Sequence, residues 1–575
     1  MIEHRSPISG IDTTGERYVA TAGYDNQLIL WDALTSQRVG LNRACHDHLV
    51  NQCRFSPSGD YLVSASSDYT ARIWTVPELR LVAVLSGHDD DVEMASFSSK
   101  GDRVATASRD YCVRIFDAAG KRQLTLEGHT ADVLSVEWSA DGSQLVTCGD
   151  DGTLRRWDAE RGQLTHTIDL GGIETDTLAV GANGEIIVGN DSGQLIRIGN
   201  GDPVPIEAHS AGIKRLVVSR DRRILVSTSY DRSIKLWSLL EQGGLEPLMT
   251  ADAPAPVWLR SAALLNRNQL VCGTFGSSYA IYNITPGSWC LDEVADTPGL
   301  NTVCTVGPAI YTIGDAGIVR RDGDDAGRPG SLCNFLVQLG ERVLTGGQLG
   351  EIYDADTGAL LHHHYSPLNC GVSFSRRGER HVMIGSYTGE GLVFRESRVP
   401  GERPGIELVE TVRLDANAIK GLASDGDTVF AVTATGSAVW VTLDALTRVH
   451  YLADAHDRIA NGAACLRPGV FVSVSRDRNL RIWSNRNCQR IATPHRRSVK
   501  CVATCEKSGL IATGSYDGEV GIFDTRNKSW NTHRPSVFGI SSISSGLRSE
   551  TFLASSYDGC VYEIEREKWR LLSAT

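Results

Sequence analysis

Histidine is the first residue type here whose placement could do chemistry. Of the 15 histidines, eight recur at one sequence position. His4, His46, His88, His129, His209, His495 and His533 each stand four residues before a β-branched residue, and His456 stands three before Ile459. Each is followed by an aspartate of its own: Asp25, Asp68, Asp110, Asp151, Asp231, Asp558, Asp477 and Asp517 make up that set. A His–Asp pair can carry acid–base chemistry or ligate a metal. Eight such pairs spread along a chain cannot converge on one substrate, so the expected role is satisfaction of buried polar groups within a repeated unit.

The remaining clusters are weaker. His362-His363-His364, with His381 nearby in sequence, is the only histidine run. Neighbouring strand residues point to opposite faces, so at most two of the three reach one ion, and an exposed outer strand is the expected setting. Asp322, Asp324 and Asp325 lack the closing glutamate of a calcium loop and read as a solvated acidic turn. Cys501 and Cys505 fall on one strand face with no second pair at zinc spacing. No nucleophile elbow, phosphate loop, dinucleotide fingerprint or zinc-protease motif occurs. The expectation is therefore no catalytic residue, no metal ligand and no cofactor.

Composition narrows the class. The 575 residues are 41% hydrophobic and carry a net charge of −12, with pI near 5.7. That balance disfavours a nucleic-acid partner. No apolar run reaches the roughly 18 residues of a membrane span, and the first residues lack the apolar core of a secretory signal. Fourteen cysteines are scattered, many within apolar strand-like runs such as those around Cys112 and Cys148. With no signal sequence this points to a reducing cytoplasm. Glycine, at 58 residues against 18 prolines, indicates many tight turns.

The elements that position these residues follow from a repeat. Alternating segments end at Trp31, Trp74, Phe116, Trp157, Trp237, Trp483, Phe523 and Ile564, the first steps being 43, 42 and 41 residues. Each copy reads as two half-buried strands joined by a tight turn, with its Asp six residues before the closing position. Six weaker copies fill the gaps, at 187–198, 270–282, 310–320, 343–353, 382–394 and 429–441. A fourth strand after Arg321 is not evident, and 322–329 reads as a loop. The longest connections expected are 239–255 and 396–406.

Gly87-His88, Gly128-His129, Phe55-Ser56-Pro57, Ser-x-Asp and Trp-Asp together resemble the WD40 repeat, whose units are four-stranded propeller blades. The resemblance covers essentially the whole chain. It implies an all-β protein of two tandem seven-bladed WD40 β-propellers, similar in architecture only to actin-interacting tandem propellers. The expected boundary gives residues 1–296 and 297–575. A six-plus-eight partition stays open, as does closure of a ring by both chain ends together, because no spare strand precedes Ile8.

The resemblance also implies a hydrogen-bond network in each blade. It assigns His88 and Asp110, with Ser108 or Thr106, to blade three. His129, Asp151, Thr147 and Trp157 fall to blade four, and Asp231, Trp237, Asp477 and Trp483 hold the same roles elsewhere. Phe116 lacks the indole donor, so blade three is incomplete.

The residue before each turn Asp lies on the face such proteins commonly use for binding. Here it is Tyr24, Ser67, Arg109, Asp150, Tyr230, Arg476, Tyr516 and Tyr557, with Phe275 and Tyr387 at the matching place in degenerate blades. Tyr and Arg dominate protein–protein contacts, although a tyrosine there can also simply cover its own turn. The expected binding set is Tyr24, Arg109, Tyr230, Phe275, Tyr387, Arg476, Tyr516 and Tyr557.

The function implied is a non-enzymatic interaction scaffold, or a sensor or adaptor subunit of a multiprotein complex. Its partners would be other proteins, bacterial signalling or defence subunits among them. The alternative is a ligand-binding or hydrolytic propeller with a central-channel site, marked by converging carboxylates, histidines or a metal.

Overall fold

The computed structural model describes residues 3–43, 45–182, 184–199, 202–219, 221–240, 244–397 and 405–574. It contains fourteen four-stranded antiparallel sheets, each made of four strands consecutive in sequence. Two compact units divide them, Met1–Thr297 and Pro298–Thr575, with seven sheets apiece. Blades 1 to 7 begin at Ile8, Val50, Val92, Val133, Thr177, Ile213 and Val257. Blades 8 to 14 begin at Leu300, Cys333, Leu368, Ile419, Ala460, Val499 and Ile540. The expected all-β class and two seven-bladed rings are what the chain forms.

Burial runs outward through each blade. Second strands such as Tyr61–Ser66 are buried on both faces, because neighbouring blades pack against both. Their Ala, Ser and Thr side chains allow that approach. Fourth strands such as Leu164–Asp169 and Trp569–Ala574 are largely exposed. Apolar clusters bridge adjacent blades: Val63, Ile73 and Leu85 of blade 2 pack with Val92, Phe97 and Phe116 of blade 3.

Closure needs no strand exchange. In the first ring Ile8, Val19 and Trp31 of blade 1 pack on Ala263, Val271 and Tyr279 of blade 7. Across that seam Ser261 Oγ donates to the Ile8 carbonyl at 3.1 Å, and Thr13 Oγ1 donates to that of Leu264 at 2.7 Å. In the second ring Leu300 and Val303 meet Leu553 and Val561. Each ring is thus built from its own blades.

Three expectations are corrected. Blade 8 does have third and fourth strands, Arg320–Arg321 and Asp324–Asp325, each two residues long. The stretches read as long connections contain fourth strands, Leu245–Asp252 and Gly405–Arg413, while 241–243 and 398–404 lie outside the described residues. In blade 14 Ser536, four residues before Ile540, takes the repeat position assigned to His533: Ser536 Oγ donates to Asp558 at 2.5 Å. His533 instead ends an outer strand, Ser529–His533.

The turn explains part of the glycine excess. The residue after the turn Asp is left-handed in every strong repeat. Gly152, Gly518 and Gly559 supply it without strain, whereas Asn26, Tyr69, Tyr111, Arg232 and Arg478 adopt φ of 61–71°.

Candidate functional site: the bulge and turn layer

The repeat histidines are structural in six blades. His Nδ1 lies 3.1, 2.8, 2.9, 2.8, 3.1 and 3.3 Å from the turn Asp in blades 1, 2, 3, 4, 6 and 12. Nε2 meets a hydroxyl on the second strand: Thr147 for His129 at 2.8 Å, and Thr106, not Ser108, for His88 at 2.7 Å. The indole of Trp157 donates to Thr147 at 2.9 Å, and Trp237 and Trp483 do the same to Ser227 and Ser473. Phe116 offers no such donor. In blades 2, 3, 4 and 12 an arginine four residues after the Asp adds an ion pair, as Arg72 does to Asp68 at 3.1 Å. Burial opposes the charge on Asp477, but the hydrogen bond and proximity of His456 overcome it and hold the carboxyl at about 2.

Residues before the turn Asp are held at a fixed height. The backbone N–H of each donates to a carbonyl just ahead of the first strand of its own blade. Examples are Tyr24 to Pro7 at 3.1 Å, Arg109 to Asp91 at 3.0 Å, Tyr230 to Gly212 at 3.0 Å, Tyr387 to Pro367 at 2.9 Å and Arg476 to Ile459 at 3.0 Å. Tyr516 and Tyr557 are pinned the same way, at 3.3 and 3.2 Å. All seven are half-buried. Phe275 departs from the binding expectation. It is 4% exposed, and its ring stacks on Trp258 with centroids 5.5 Å apart, so it packs under the face rather than forming it.

Opposite this row stands a second one that the sequence reading missed. In twelve blades the first strand is bulged at its second residue, where the pairing register slips, as between Val50 and Gln52 or Val499 and Cys501. A bulged residue leaves the ladder and is re-aimed. Its identity varies: Asn51, Glu93, Lys214, Asn301, Asn334, Asn369, Lys420, Asn461 and Lys500 are examples. Where a repeat histidine precedes the blade, the bulge residue is the fifth after it, as for Asn51, Glu93, Lys214, Asn461 and Lys500.

The bulge residue meets the turn residue. In the first ring Glu93 accepts from Arg109 Nε and from Arg260 Nη2, the latter at 3.2 Å, and Arg109 Nη1 also pairs with Asp132. Arg260 lies over Trp258, which meets Tyr24 edge-on at 5.4 Å. Lys214 Nζ donates to Asp176 and Asp191, both at 2.5 Å, and sits 4.6 Å over the Tyr230 ring. Carboxylates outnumber cations here. Burial, then the negative charge of Asp191 and Asp176, pushes Glu174 up to about 8. Burial, then Asp132 and Glu174, raises Asp150 well above the carboxylate range. Tyr24, Arg109 and Tyr230 thus belong to one acid-rich network.

The second ring is different. Lys420 lies 4.4 Å over the Tyr387 ring and Lys500 5.9 Å over Tyr516. Asn301 donates to Asp315 at 3.0 Å, and burial lifts that carboxyl to about 7. This face is rich in lysine and tyrosine.

Elsewhere the histidine run alternates as expected. His362 packs edge-on against Phe394, His363 is exposed, and His364 lies 3.3 Å from Glu390. All fourteen cysteines are free thiols. Among the described residues no helix is long and apolar enough to cross a membrane, which says nothing of strand-built membrane proteins.

Comparison with known proteins agrees with this geometry. Residues 41–75, 79–117, 120–158, 203–238 and 486–524 match the WD domain, G-beta repeat. Ribosome assembly protein 4 of Saccharomyces cerevisiae is 34% identical over 73 residues, 13% of this chain and 14% of its own length. Human transducin beta-like protein 3 is 38% identical over 63 residues, 11% and 7% of the two chains. Nuclear distribution protein PAC1 of Tuber melanosporum is 32% identical over 83 residues, 13% and 17%. The chain thus spans less than a fifth of the length of each. Four of the WD40 matches fall in the first unit and one in the second, so the chain carries WD40 repeats within two sets of seven four-stranded propeller blades.

Proposed function

We propose that the chain is a non-enzymatic scaffold or adaptor that holds protein partners on the bulge and turn layer of its rings. The observation that carries this reading is the layer itself: tyrosine and arginine side chains, the types that dominate interface energetics, on backbone fixed by hydrogen bonds and left half-buried. The acid-rich face of the first ring suits a basic segment of a partner. The second, with Lys420, Lys500 and Arg476 among Tyr387, Tyr516 and Tyr557, suits an acidic one. One relative is named for ribosome assembly, and bringing subunits together is work that two such faces fit.

The test is co-purification of the full chain against a triple variant, Arg476→Ala, Tyr516→Ala and Tyr557→Ala, with partners identified by mass spectrometry. Loss of at least one partner from a folded variant is expected. Retention of every partner by both this variant and a matching Tyr24→Ala, Tyr230→Ala variant would remove the layer as the binding surface.

A further inference from the structure

Blade 13 breaks the network in a particular way. In the blades already described, the residue two after the turn Asp donates to it: Gln27, Thr153 and Ser233 do so through their side chains at 2.6, 2.8 and 2.6 Å. An arginine two residues further on supplies a counter-charge in four of them. Blade 13 has neither side-chain group, and only the Glu519 backbone N–H donates to Asp517, at 3.3 Å. Glu519 stands where the donor should be, and Gly521 stands where the arginine should be. A Cβ at Gly521 would crowd the site, lying 3.1 Å from both the Thr513 hydroxyl and the Trp530 ring. A second carboxylate therefore faces Asp517, and the usual cation is missing.

His495 completes the arrangement. It is 4% exposed, and its Nε2 is fixed by Thr513 Oγ1 at 2.8 Å. The Thr513 hydroxyl is also in reach of the Gly521 carbonyl at 3.2 Å, and when it donates there its oxygen accepts the Nε2 proton. That tautomer leaves a lone pair on Nδ1, a buried atom with no hydrogen-bond partner. The ligand atoms of His495, Asp517 and Glu519 all lie within 4.8 Å of one another. Arg496 and Arg534 add positive charge near Glu519 from flanking segments.

We propose that His495 Nδ1, Asp517 and Glu519 form a site for one divalent first-row transition ion, zinc fitting best, with solvent in the fourth position. One imidazole and two carboxylates are within zinc's ligand range, and the nitrogen disfavours magnesium and calcium. A tetrahedral ion with bonds of about 2.1 Å separates its ligands by about 3.4 Å, so the side chains close by roughly 1 Å. Thr513 holds the far ring nitrogen as a second-sphere partner should. Asp517 and Glu519 are half-buried, which lets solvent and ion enter. The ion replaces the missing His–Asp bond and neutralises both carboxylates. The sequence reading assigned no metal ligand because each residue, taken alone, fits the repeat.

The experiment uses the full chain stripped with a chelator and titrated with Zn2+ against a competing chromophoric chelator. X-ray absorption at the zinc edge and thermal unfolding accompany it. One equivalent should bind with a light-atom shell containing a single imidazole, and should raise Tm. Glu519→Thr, which gives blade 13 the residue of blades 2 and 4, should fold, weaken binding at least tenfold and abolish the Tm gain. Glu519→Gln is the second variant should the first unfold. His363→Ala and His364→Ala should bind as the parent does. Absence of saturable binding at micromolar zinc, binding unchanged by both Glu519 variants, or loss of binding in the His363 or His364 variants would each overturn the assignment.

Discussion

Asn461 Nδ2 donates to the carbonyl of Val499 at 2.8 Å, from the bulge of blade 12 to the first residue of blade 13. The same bond recurs from Asn51 to Val92 at 3.0 Å, Asn301 to Cys333 at 3.1 Å, Asn334 to Leu368 at 2.8 Å and Asn369 to Ile419 at 2.9 Å. These asparagines clamp successive blades through backbone that the sheets leave unpaired. Asn461→Ala should cost ~1–2 kcal/mol, one hydrogen bond plus an unsatisfied carbonyl. Asn461→Asp, which sets an acceptor against an acceptor, should cost more. Urea unfolding of both variants checks the order.

Arg109 is held between Glu93 and Asp132. Removing it leaves two carboxylates facing each other in an already acid-rich face. Arg109→Ala should therefore destabilise the first ring by about 3 kcal/mol, the cost of breaking a buried pair from one side. Combining it with Glu93→Gln should recover part of the loss, measurable as a double-mutant cycle.

Acid should act on the blade networks through Asp477. Its folded pKa, about 2, lies below the ordinary 3.8, so its contribution is present above pH 4 and lost as pH falls through 2. Asp477→Asn should be about 2 kcal/mol less stable than the parent at pH 6, and the two should converge near pH 2. Burial also lowers the pKa of His46, His88 and His456 below 6.5. The unfolded chain then takes up those protons first, and stability declines as pH drops from 7 towards 5.

Asp315 should show the opposite slope. Burial raises it to about 7, so the folded state keeps a proton that the unfolded state gives up near 3.8. Its contribution is fully present below pH 4 and declines as pH rises to 7 and beyond. Asp315→Asn, which keeps the shape and needs no proton, should match the parent at pH 4 and exceed it by ~2–4 kcal/mol at pH 8. Paired Tm measurements at the two pH values decide it.

Most of the fold was legible because alternation, turn chemistry and repeat length act locally and agree with each other. Trp157, Thr147, His129 and Asp151 take the roles that the WD40 resemblance implies for them. Blade 8 was half-read because two-residue strands carry no alternation. His533 was placed three residues out of register because Val537, 76% exposed, mimics the β-branched mark. The row of residues before the turn Asp could be read from the repeat, but the opposing bulge row could not. A bulge is a property of pairing between strands, and Asn51, Glu93 and Lys214 share no residue type. Phe275 went astray because Trp258, which covers it, lies outside the repeat's own pattern.

Closure by abutment has a consequence for biosynthesis. The seam of the first ring joins Ile8 to Ser261 and Thr13 to Leu264, pairs more than 250 residues apart. No early strand waits to be completed by a later one, so Ile8, Val19 and Trp31 stay uncovered until blade 7 leaves the ribosome. At about 5–20 residues per second that interval lasts roughly 12–50 s. Throughout it the nascent chain carries an apolar sheet face that only the last blade of the ring covers.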